Sequence, residues 1–312
     1  MRKNILIFTS LLFTVACSDT QHPPVDKATK ITDTTREDFS IEAELASFTV
    51  EEGYKVELFA SEDIGIVKPT AMRWDEYGRL WVLSVPTYPQ LKPGEKPGDK
   101  LLVLEDRNND GLPDTSIVFA DKLNIPLGFE FGNGGIYLGE QTNLVFLKDS
   151  NNDLHADTRD IVLSGFGTHD LHQTINSFTW SPSGELFFNQ GLSIYSRVET
   201  IRGVKRANRA AVWRYRPKFK ELDVFFDESM ASDNPWGLSF GNWGETFVKA
   251  NNPDIFYATP GLITNSHKLM LPTIGLTSNK SGDWKLFAAH TFMIACRIIC
   301  WLQVIIITRW KG

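Results

Sequence analysis

Cysteine is scarce in this chain, since only Cys17, Cys296 and Cys300 occur among its 312 residues. A disulfide framework needs several paired cysteines, and attachment of a c-type haem needs a Cys-x-x-Cys-His motif. Neither pattern is present, so the fold must be held by packing. Basic residues are also in the minority, with 32 Lys and Arg against 38 Asp and Glu and a net charge of −6. This balance excludes the basic surface of a nucleic-acid-binding protein.

The first residues are typical of an export signal. Arg2 and Lys3 precede the apolar run ILIFTSLLFTVA, and small residues lead to Cys17, as in a bacterial lipoprotein signal peptide. We predict that residues 1–17 are this signal and that Cys17 is lipidated, which places the protein at the bacterial cell envelope, periplasmic or on the outer surface. Plain secretion and an uncleaved anchor are the alternatives. Residues 18–47 are mostly polar and are predicted to be a flexible tether.

One short phrase recurs four times along the chain. It reads MRWDEYGRLWVLSV, FEFGNGGIYLGEQ, FTWSPSGELFFNQG and LSFGNWGETFVKAN. Each copy places a glycine turn before an aromatic residue, and the pairs are Gly78 and Trp81, Gly134 and Tyr137, Gly184 and Phe187, and Gly244 and Phe247. Glycine spacings of 56, 50 and 60 are typical of a β-propeller repeat. The sequence predicts an all-β propeller over 48–285, incomplete, with about four to five blades of a six-bladed type of ring.

The C-terminal segment 286–312 does not follow the repeat and is rich in isoleucine. It could be a transmembrane or interfacial helix, although His290, Arg297 and Gln303 interrupt the apolar run. It could also be a buried strand pair, or the end of a truncated or frameshifted reading. We favour the last, because a propeller hides its sheet edges by closing its ring. The expectation is that the chain is a fragment of a longer protein.

Two acidic loops repeat each other at an offset of 43 residues. The first contains Asp106, Asn108, Asp110 and Asp114, and the second contains Asp149, Asn151, Asp153 and Asp157. Carboxylate and amide oxygens at alternate positions of a tight loop are ligands that Ca²⁺ prefers. The alternative is that Asp and Asn only form turns with their own backbone. Either way, any bound metal would be structural.

The segment 167–200 holds the densest group of polar side chains. His169, Asp170, His172, Gln173 and Asn176 precede the third repeat, where a propeller loop faces the central funnel. Histidine beside carboxylate and amide partners can act as a general base near neutral pH. We therefore predict a catalytic group of His172, His169 and Asp170. The alternative is that both histidines are ordinary surface-loop residues.

Three blocks carry a resemblance to a known family: FTWSPSGELFFNQGLSIYSRVET at 178–200, AAVWRYRP at 210–217 and NPWGLSFGNWGETFV at 234–248. They resemble the propeller domain of large secreted bacterial proteins grouped as membrane-bound dehydrogenases, of planctomycete, verrucomicrobial and Bacteroidetes type. The resemblance covers about 50–275. More distantly, the chain is similar to pyrroloquinoline-quinone-dependent glucose and sorbosone dehydrogenases. Full-length members commonly add a cytochrome c domain, which implies a cytochrome-type electron acceptor.

The resemblance also implies site residues. In the quinone enzymes a histidine takes the proton of the substrate hydroxyl, and His172 stands close to its place. An Arg-Asn pair binds the quinone there; Asn234 fits the Asn, but Asp233 occupies the place of the Arg and would repel the quinone's carboxylates. Arg209, Arg214 or Arg216 would have to compensate from a neighbouring strand. The implied cofactor-binding group is Asn234, Trp236, Arg209 and Arg214.

Three functions remain open at this point. The first is oxidation of a sugar- or polyol-type hydroxyl with pyrroloquinoline quinone, and Ca²⁺, as cofactors. The second is a non-catalytic propeller that binds a glycan or an envelope protein. The third is a Ca²⁺-dependent, lactonase-like hydrolase, which needs acidic groups in the centre of the ring, whereas the acidic loops follow outer strands.

Overall fold

The computed structural model describes residues 40–49, 52–227, 234–249, 255–258, 268–269, 296–299 and 304–310. The described part begins with a helix, α1 (Ile41–Ser47), and a strand, β1 (Tyr54–Ala60). Two four-stranded antiparallel blades follow, and a parallel pairing of Leu127 with Asn176 joins the second of them to the third blade in one eight-stranded sheet. Blade 1 consists of β2 (Pro69–Trp74), β3 (Leu80–Ser84), β4 (Asp99–Glu105) and β5 (Thr115–Leu123), and blade 2 of β6 (Pro126–Gly132), β7 (Gly135–Glu140), β8 (Asn143–Lys148) and β9 (Thr158–Ser164).

Two further blades and a separate sheet complete the described strands. Blade 3 consists of β10 (Asn176–Trp180), β11 (Leu186–Gln190), β14 (Ala211–Arg216) and β15 (Glu221–Phe226), with a hairpin of β12 (Tyr195–Thr200) and β13 (Gly203–Asn208) inserted between its second and third strands. Blade 4 consists of β16 (Gly237–Phe240), β17 (Thr246–Lys249), β18 (Ile255–Ala258) and β19 (Lys268–Leu269). The last strands, β20 (Cys296–Ile299) and β21 (Val304–Trp310), pair with each other, and β21 also pairs with β1. The predicted all-β propeller is confirmed.

The glycine turns join the first and second strands of each blade, as the repeat predicted. Their four glycines have φ between 77° and 85°, a left-handed conformation that costs glycine little. The aromatic residue after each turn lies opposite a first-strand residue at the same position of every blade, in the pairs Trp81 and Arg73, Tyr137 and Glu130, Phe187 and Thr179, and Phe247 and Ser239. Each copy of the repeated phrase therefore forms the same hairpin, the first two strands of a blade.

Packing between neighbouring blades forms the core, as expected for a chain without a disulfide framework. Apolar clusters lie between blades 1 and 2, between blades 2 and 3, and between blades 3 and 4. Glycine allows the closest approach: a Cβ on Gly132 would lie 2.3 Å from the ring of Trp180, and one on Gly139 would lie 2.8 Å from Ile175. The backbone of blade 2 thus packs directly against side chains of blade 3 and of the residue that precedes it.

Two segments differ from, or add to, the sequence predictions. Residues 41–47 of the predicted tether form α1, which Ser40 caps by accepting a hydrogen bond from the Ala43 N–H at 3.2 Å. In the C-terminal segment the described residues form a strand pair, β20–β21, which was one of the three alternatives. The predicted domain limit at 285 and the predicted signal and tether up to 39 lie outside the described residues. The truncation hypothesis stays a prediction.

Candidate functional site

The first strands of the four blades line a central channel. They begin at Pro69, Pro126, Asn176 and Gly237 at one end, here called the upper end, and reach the glycine turns at the other, the lower end. A cavity of about 430 Å³ runs along β10 and β16 and past their lower ends. Its described lining contains none of the residues predicted to be catalytic or to bind a cofactor. The predicted site and this cavity are therefore different places.

An ion pair crosses the channel within this cavity. Arg73 Nε donates to Glu130 Oε2 at 3.1 Å, and Arg73 Nη2 donates to the Phe178 carbonyl at 3.1 Å. Arg73 lies on β2, Glu130 on β6 and Phe178 on β10, so one side chain ties three blades together. Both charges are compensated, and the cavity has no net charge from this pair.

A ring of buried polar side chains marks the upper end. In each blade the last part of the second strand places one polar residue opposite the start of the first strand; these are Ser84, Glu140, Asn189 and Lys249. All four are at most 5% exposed. Sequence reasoning missed this upper ring, although its members follow the repeat glycines by only five or six residues.

In blades 1 and 2 the upper ring holds the loop that leads into the blade. Ser84 Oγ accepts from the Val67 N–H at 2.9 Å, and Glu140 Oε1 accepts from the Asn124 N–H at 3.1 Å. Arg159 also donates to the Glu140 carboxylate. Burial raises the pKa of Glu140 above its usual range, although Arg159 and the Asn124 N–H act in the opposite direction. These two members of the ring are thus occupied by structural contacts.

Blade 3 differs at the same position. Asn189 is fully buried, and within the part of the chain that the structure describes neither its Nδ2 nor its Oδ1 has a hydrogen-bond partner. The hydroxyl of Thr174, two residues before β10, is also buried without a described partner. Unpaired buried polar groups cost stability and call for an explanation. Blade 3 therefore carries polar groups that the fold itself does not use.

The predicted catalytic residues lie in the loop that leads into blade 3. His172 sits in a short 3₁₀ turn (Leu171–Gln173), and its Nδ1 lies 2.7 Å from Asp170 Oδ1. The His172 side chain is 51% exposed, so its other nitrogen can be reached by solvent or substrate. His169 instead packs its ring edge-to-face against Tyr195, with centroids 5.3 Å apart. The structure brings His172 and Asp170 together and places His169 beside the hairpin.

Hydrogen bonds tie this loop to the rest of the upper end of blade 3. Gln173 Oε1 accepts from the Ser193 N–H at 3.1 Å, and the Gln173 carbonyl accepts from the Gly191 N–H at 2.8 Å. The Arg209 N–H in turn donates to the Ile194 carbonyl at 2.7 Å. His172, Gln173 and Arg209 therefore share one hydrogen-bonded platform.

The four predicted cofactor-binding residues are not in one environment. Arg209 is exposed in the short link between β13 and β14 and forms no ion pair with any described carboxylate. Arg214 lies within β14, where its Nη2 is 3.2 Å from Asp223 Oδ2 and its guanidinium lies over the Phe225 ring. Asn234 and Trp236 precede β16 at the upper end, and the Trp236 N–H donates to the Lys249 carbonyl. Arg209 is thus the candidate cation at the upper end, and Arg214 is neutralised elsewhere.

The two acidic loops join the third and fourth strands of blades 1 and 2, at the lower end. Their carboxylates accept hydrogen bonds from their own loops: Asp106 Oδ2 from the Gly111 N–H at 2.7 Å, and Asp149 Oδ2 from the Leu154 N–H at 2.9 Å. Burial would raise the pKa of Asp149 slightly, but backbone N–H donors of its own loop, led by that of Leu154, hold this pKa below its usual range. Within the described ranges no three His, Cys, Asp or Glu side chains converge as a metal site. The loops also lie at the opposite end from His172.

Membrane attachment has no structural counterpart in the described chain. No helix there is both long and apolar enough to span a bilayer. Cys17, the predicted lipidation site, lies outside the described residues.

Comparisons with known proteins give a family and distant structural likenesses. A family model described as Domain of unknown function (DUF7133) matches residues 40–292. No protein with a curated function matches the chain in sequence.

Among solved structures, a candidate gluconolactonase is 11% identical, with a TM-score of 0.47, over 70% of this chain and 67% of that one. A Trichoderma reesei protein of Carbohydrate-Active Enzymes Family AA12 is 13% identical, with a TM-score of 0.47, over 72% and 57%. The PQQ domain of pyranose dehydrogenase from Coprinopsis cinerea is 14% identical, with a TM-score of 0.45, over 75% and 56%. The chain spans little more than half the length of the last two.

Proposed function

The chain belongs to the family described as Domain of unknown function (DUF7133), and we propose a function from its own residues. We propose that it is the propeller of an exported, lipid-anchored protein of the bacterial cell envelope. This protein oxidises a sugar- or polyol-type hydroxyl, with pyrroloquinoline quinone as cofactor and a cytochrome-type acceptor in longer relatives. The observation that carries the proposal is the contact between His172 and Asp170 at the upper end of blade 3.

The geometry of this pair suits a general base. A carboxylate 2.7 Å from Nδ1 favours the tautomer with its proton on Nδ1, which leaves the lone pair on Nε2. Nε2 can then accept the proton of a substrate hydroxyl. Asp170 fixes the ring and stabilises the imidazolium that forms, in the way a carboxylate supports histidine in other enzymes.

The residues at the upper end could bind one carboxylate of the quinone. Arg209 offers a cation without a described carboxylate partner, on the same platform as His172, and Asn234 offers an amide at the start of β16. Arg209 and Asn234 would hold the cofactor, whereas Arg214 is engaged by Asp223. When bound, the quinone supplies the two-electron acceptor. The protein's part is to bind the sugar and to take its hydroxyl proton at His172.

The test is dye reduction by the full chain after reconstitution with pyrroloquinoline quinone and Ca²⁺, over a panel of aldoses and polyols. We expect activity with at least one sugar and a loss of about a hundredfold or more in kcat/KM in His172→Ala. His155→Ala is the matched control, because His155 is 62% exposed in the second acidic loop and should change nothing. Absence of activity and of any change in quinone absorbance would favour a non-catalytic propeller that binds a glycan or an envelope protein.

We also propose that the acidic loops bind Ca²⁺ as a structural ion. In the first loop Gly111 has φ of 89°, which permits the sharp turn such loops need, whereas Leu154 occupies the same place in the second with φ of 65°. After chelation, we expect millimolar Ca²⁺ to raise the Tm, and Asp106→Asn to remove the part of the shift that the first loop contributes. No heat of binding and no melting shift would contradict this proposal.

The lipid anchor is proposed from Cys17 alone. Expression with a radiolabelled fatty acid should label the wild-type protein and leave Cys17→Ser unlabelled and in the soluble fraction. Label on the Cys17→Ser variant, or none on the wild type, would contradict the anchor.

A further inference from the structure

The β12–β13 hairpin is an addition to the four-stranded plan, and of the described blades only blade 3 contains such a hairpin. It lies at the upper end, next to the His172 loop. One face of the hairpin is buried through Ser196, Val198 and Ala207. The opposite face is exposed, and its three cross-strand pairs are Tyr195 with Asn208, Arg197 with Arg206 and Glu199 with Val204.

The two arginines stand directly opposite each other. The Arg197 N–H donates to the Gly165 carbonyl at 2.8 Å, outside the hairpin, so this is a non-hydrogen-bonded pair. In such pairs the Cα atoms are about 4.5 Å apart and the side chains come closest. Like charges in direct opposition destabilise a hairpin. The pairing of Arg197 with Arg206 thus lowers the stability of the hairpin and does not help to hold the fold together.

No described carboxylate forms an ion pair with either arginine, including Glu199, which lies two residues from Arg197 on the same face. Other cations of the hairpin have partners within the blade, since Arg202 lies 2.6 Å from Glu221 and Lys205 lies 3.9 Å from Asp223. Neither Arg197 nor Arg206 has a carboxylate within 4 Å among the described residues. In a chain with a net charge of −6, two adjacent unmatched guanidinium groups form a local site for an anion.

The neighbouring pair adds groups that suit a sugar. Tyr195 is 45% exposed, with its ring edge-to-face to His169, and Asn208 lies opposite it. The Tyr195–Asn208 pair and the arginine pair are two residues apart on one face, about 6.6 Å along the strands. An aromatic ring has an apolar face with polar edges, and an amide both donates and accepts. A plain phosphate or an isolated carboxylate would use only the arginines.

We propose that the exposed face of the β12–β13 hairpin binds a carboxylate-bearing sugar unit of a glycan. Arg197 and Arg206 bind its carboxylate, Tyr195 lies under the ring, and Asn208 contacts a hydroxyl. The proposal rests on the proposed function, because this unit would adjoin the sugar presented to His172. It narrows the substrate class to acidic glycans.

The test measures binding of the full chain to polygalacturonate, dextran sulfate, neutral dextran and phosphatidylglycerol vesicles, at fixed salt and without quinone or dye. We expect binding to polygalacturonate, weakened about tenfold in Arg197→Gln and in Arg206→Gln. Arg202→Gln is the matched control, because Arg202 is paired with Glu221, and its affinity should stay within twofold of wild type. Tyr195→Ala should also weaken binding to polygalacturonate, because it removes the aromatic ring proposed to lie under the sugar.

A second variant separates loss of binding from loss of folding. Arg206→Glu replaces the repulsive pair by an opposite-charge pair, so it should raise the Tm slightly while abolishing binding. The proposal is overturned if polygalacturonate does not bind, if dextran sulfate or the vesicles bind as tightly, or if Arg202→Gln weakens binding as much. Since the readout needs no redox chemistry, binding with no dye reduction would refute the dehydrogenase alone, and dye reduction without binding would refute only this inference.

Discussion

Blades 2 and 3 have the same four-stranded plan and bury a polar residue at the same place, but they use it differently. Glu140 in blade 2 receives hydrogen bonds from the Asn124 N–H and from Arg159. Asn189 in blade 3, also buried, has no described partner. Glu140 therefore stabilises the fold through its hydrogen bonds, whereas the buried amide of Asn189 contributes no described hydrogen bond to it.

The difference extends over the whole upper end of blade 3. There the chain adds the β12–β13 hairpin, the His172–Asp170 pair, the exposed Arg209 and the Thr174 hydroxyl, which has no partner among the described residues. Natural proteins retain unpaired or strained groups chiefly at functional sites and compensate for them elsewhere. Blade 3 is therefore the place where stability and function should be in conflict, and substitutions at the same position of blades 1, 2 and 3 test the stability side of it.

Glu140→Ala should have the largest effect. It leaves the Asn124 N–H and the Arg159 guanidinium without their acceptor, and breaking a buried ion pair costs about 3 kcal/mol. Arg159 is 40% exposed, so solvation by water limits the loss. Urea denaturation at pH 7 measures the free energy of unfolding. The control is Glu199→Ala on the exposed hairpin face, which should change the free energy of unfolding little. Equal losses in the two variants would show that Glu140 has no special structural role.

Asn189→Leu should change stability in the opposite direction. Replacing a buried amide without partners by an apolar group of similar size removes an unmet polar cost, and we expect a gain of about 1 kcal/mol. Thr174→Val is a second, nearly isosteric variant with the same expected sign. Both variants are measured by urea denaturation beside Glu140→Ala. A loss of stability in both would mean that bound water or undescribed parts of the chain already satisfy these groups.

Much of this contrast was not visible in the sequence, for a physical reason. The glycine turns and the aromatic residues after them are local, so the repeat predicted the blades. The upper ring is also spaced regularly, but its members are Ser, Glu, Asn and Lys, which share no chemistry. Asp170 and His172 are neighbours in sequence and could be predicted as a pair. Arg209 and Arg214 look equivalent in sequence, and only the position of Asp223 distinguishes them.

Ser84→Ala extends the comparison to blade 1. Ser84 Oγ accepts from the Val67 N–H and donates to the Gly65 carbonyl at 3.1 Å. Its loss should cost about 1 kcal/mol, less than Glu140→Ala, because no charge is involved. Thermal unfolding followed by circular dichroism would show the lower Tm. A variant as stable as wild type would mean that the upper ring is not a structural device in blade 1.

The smallest predicted effect is on the pH dependence of stability, and it compares Glu140 of the upper ring with Asp75 at a glycine turn of the lower end. Burial alone would raise the pKa of Asp75, but hydrogen bonds from Trp81 and Arg79 hold it below its ordinary value of 3.8. Its stabilisation is therefore present above pH 3.8 and is lost as the pH falls through the lowered pKa. Burial raises the pKa of Glu140 above its ordinary 4.5, so the pH-dependent part of its contribution is present below that pH and lost as the pH rises through the raised value. The hydrogen bonds from the Asn124 N–H and from Arg159 remain at pH 7, so Glu140→Ala still loses stability there.

Unfolding free energies from pH 3 to pH 7 should consequently separate the two carboxylates. The deficit of Asp75→Asn relative to wild type should grow with rising pH, to somewhat under about 1 kcal/mol at this partly exposed turn. The unfolding free energy of Glu140→Gln relative to that of wild type should instead increase as the pH rises. Parallel curves for both variants would show that the two carboxylates titrate alike, and that buried ring and exposed turn do not differ in their electrostatics.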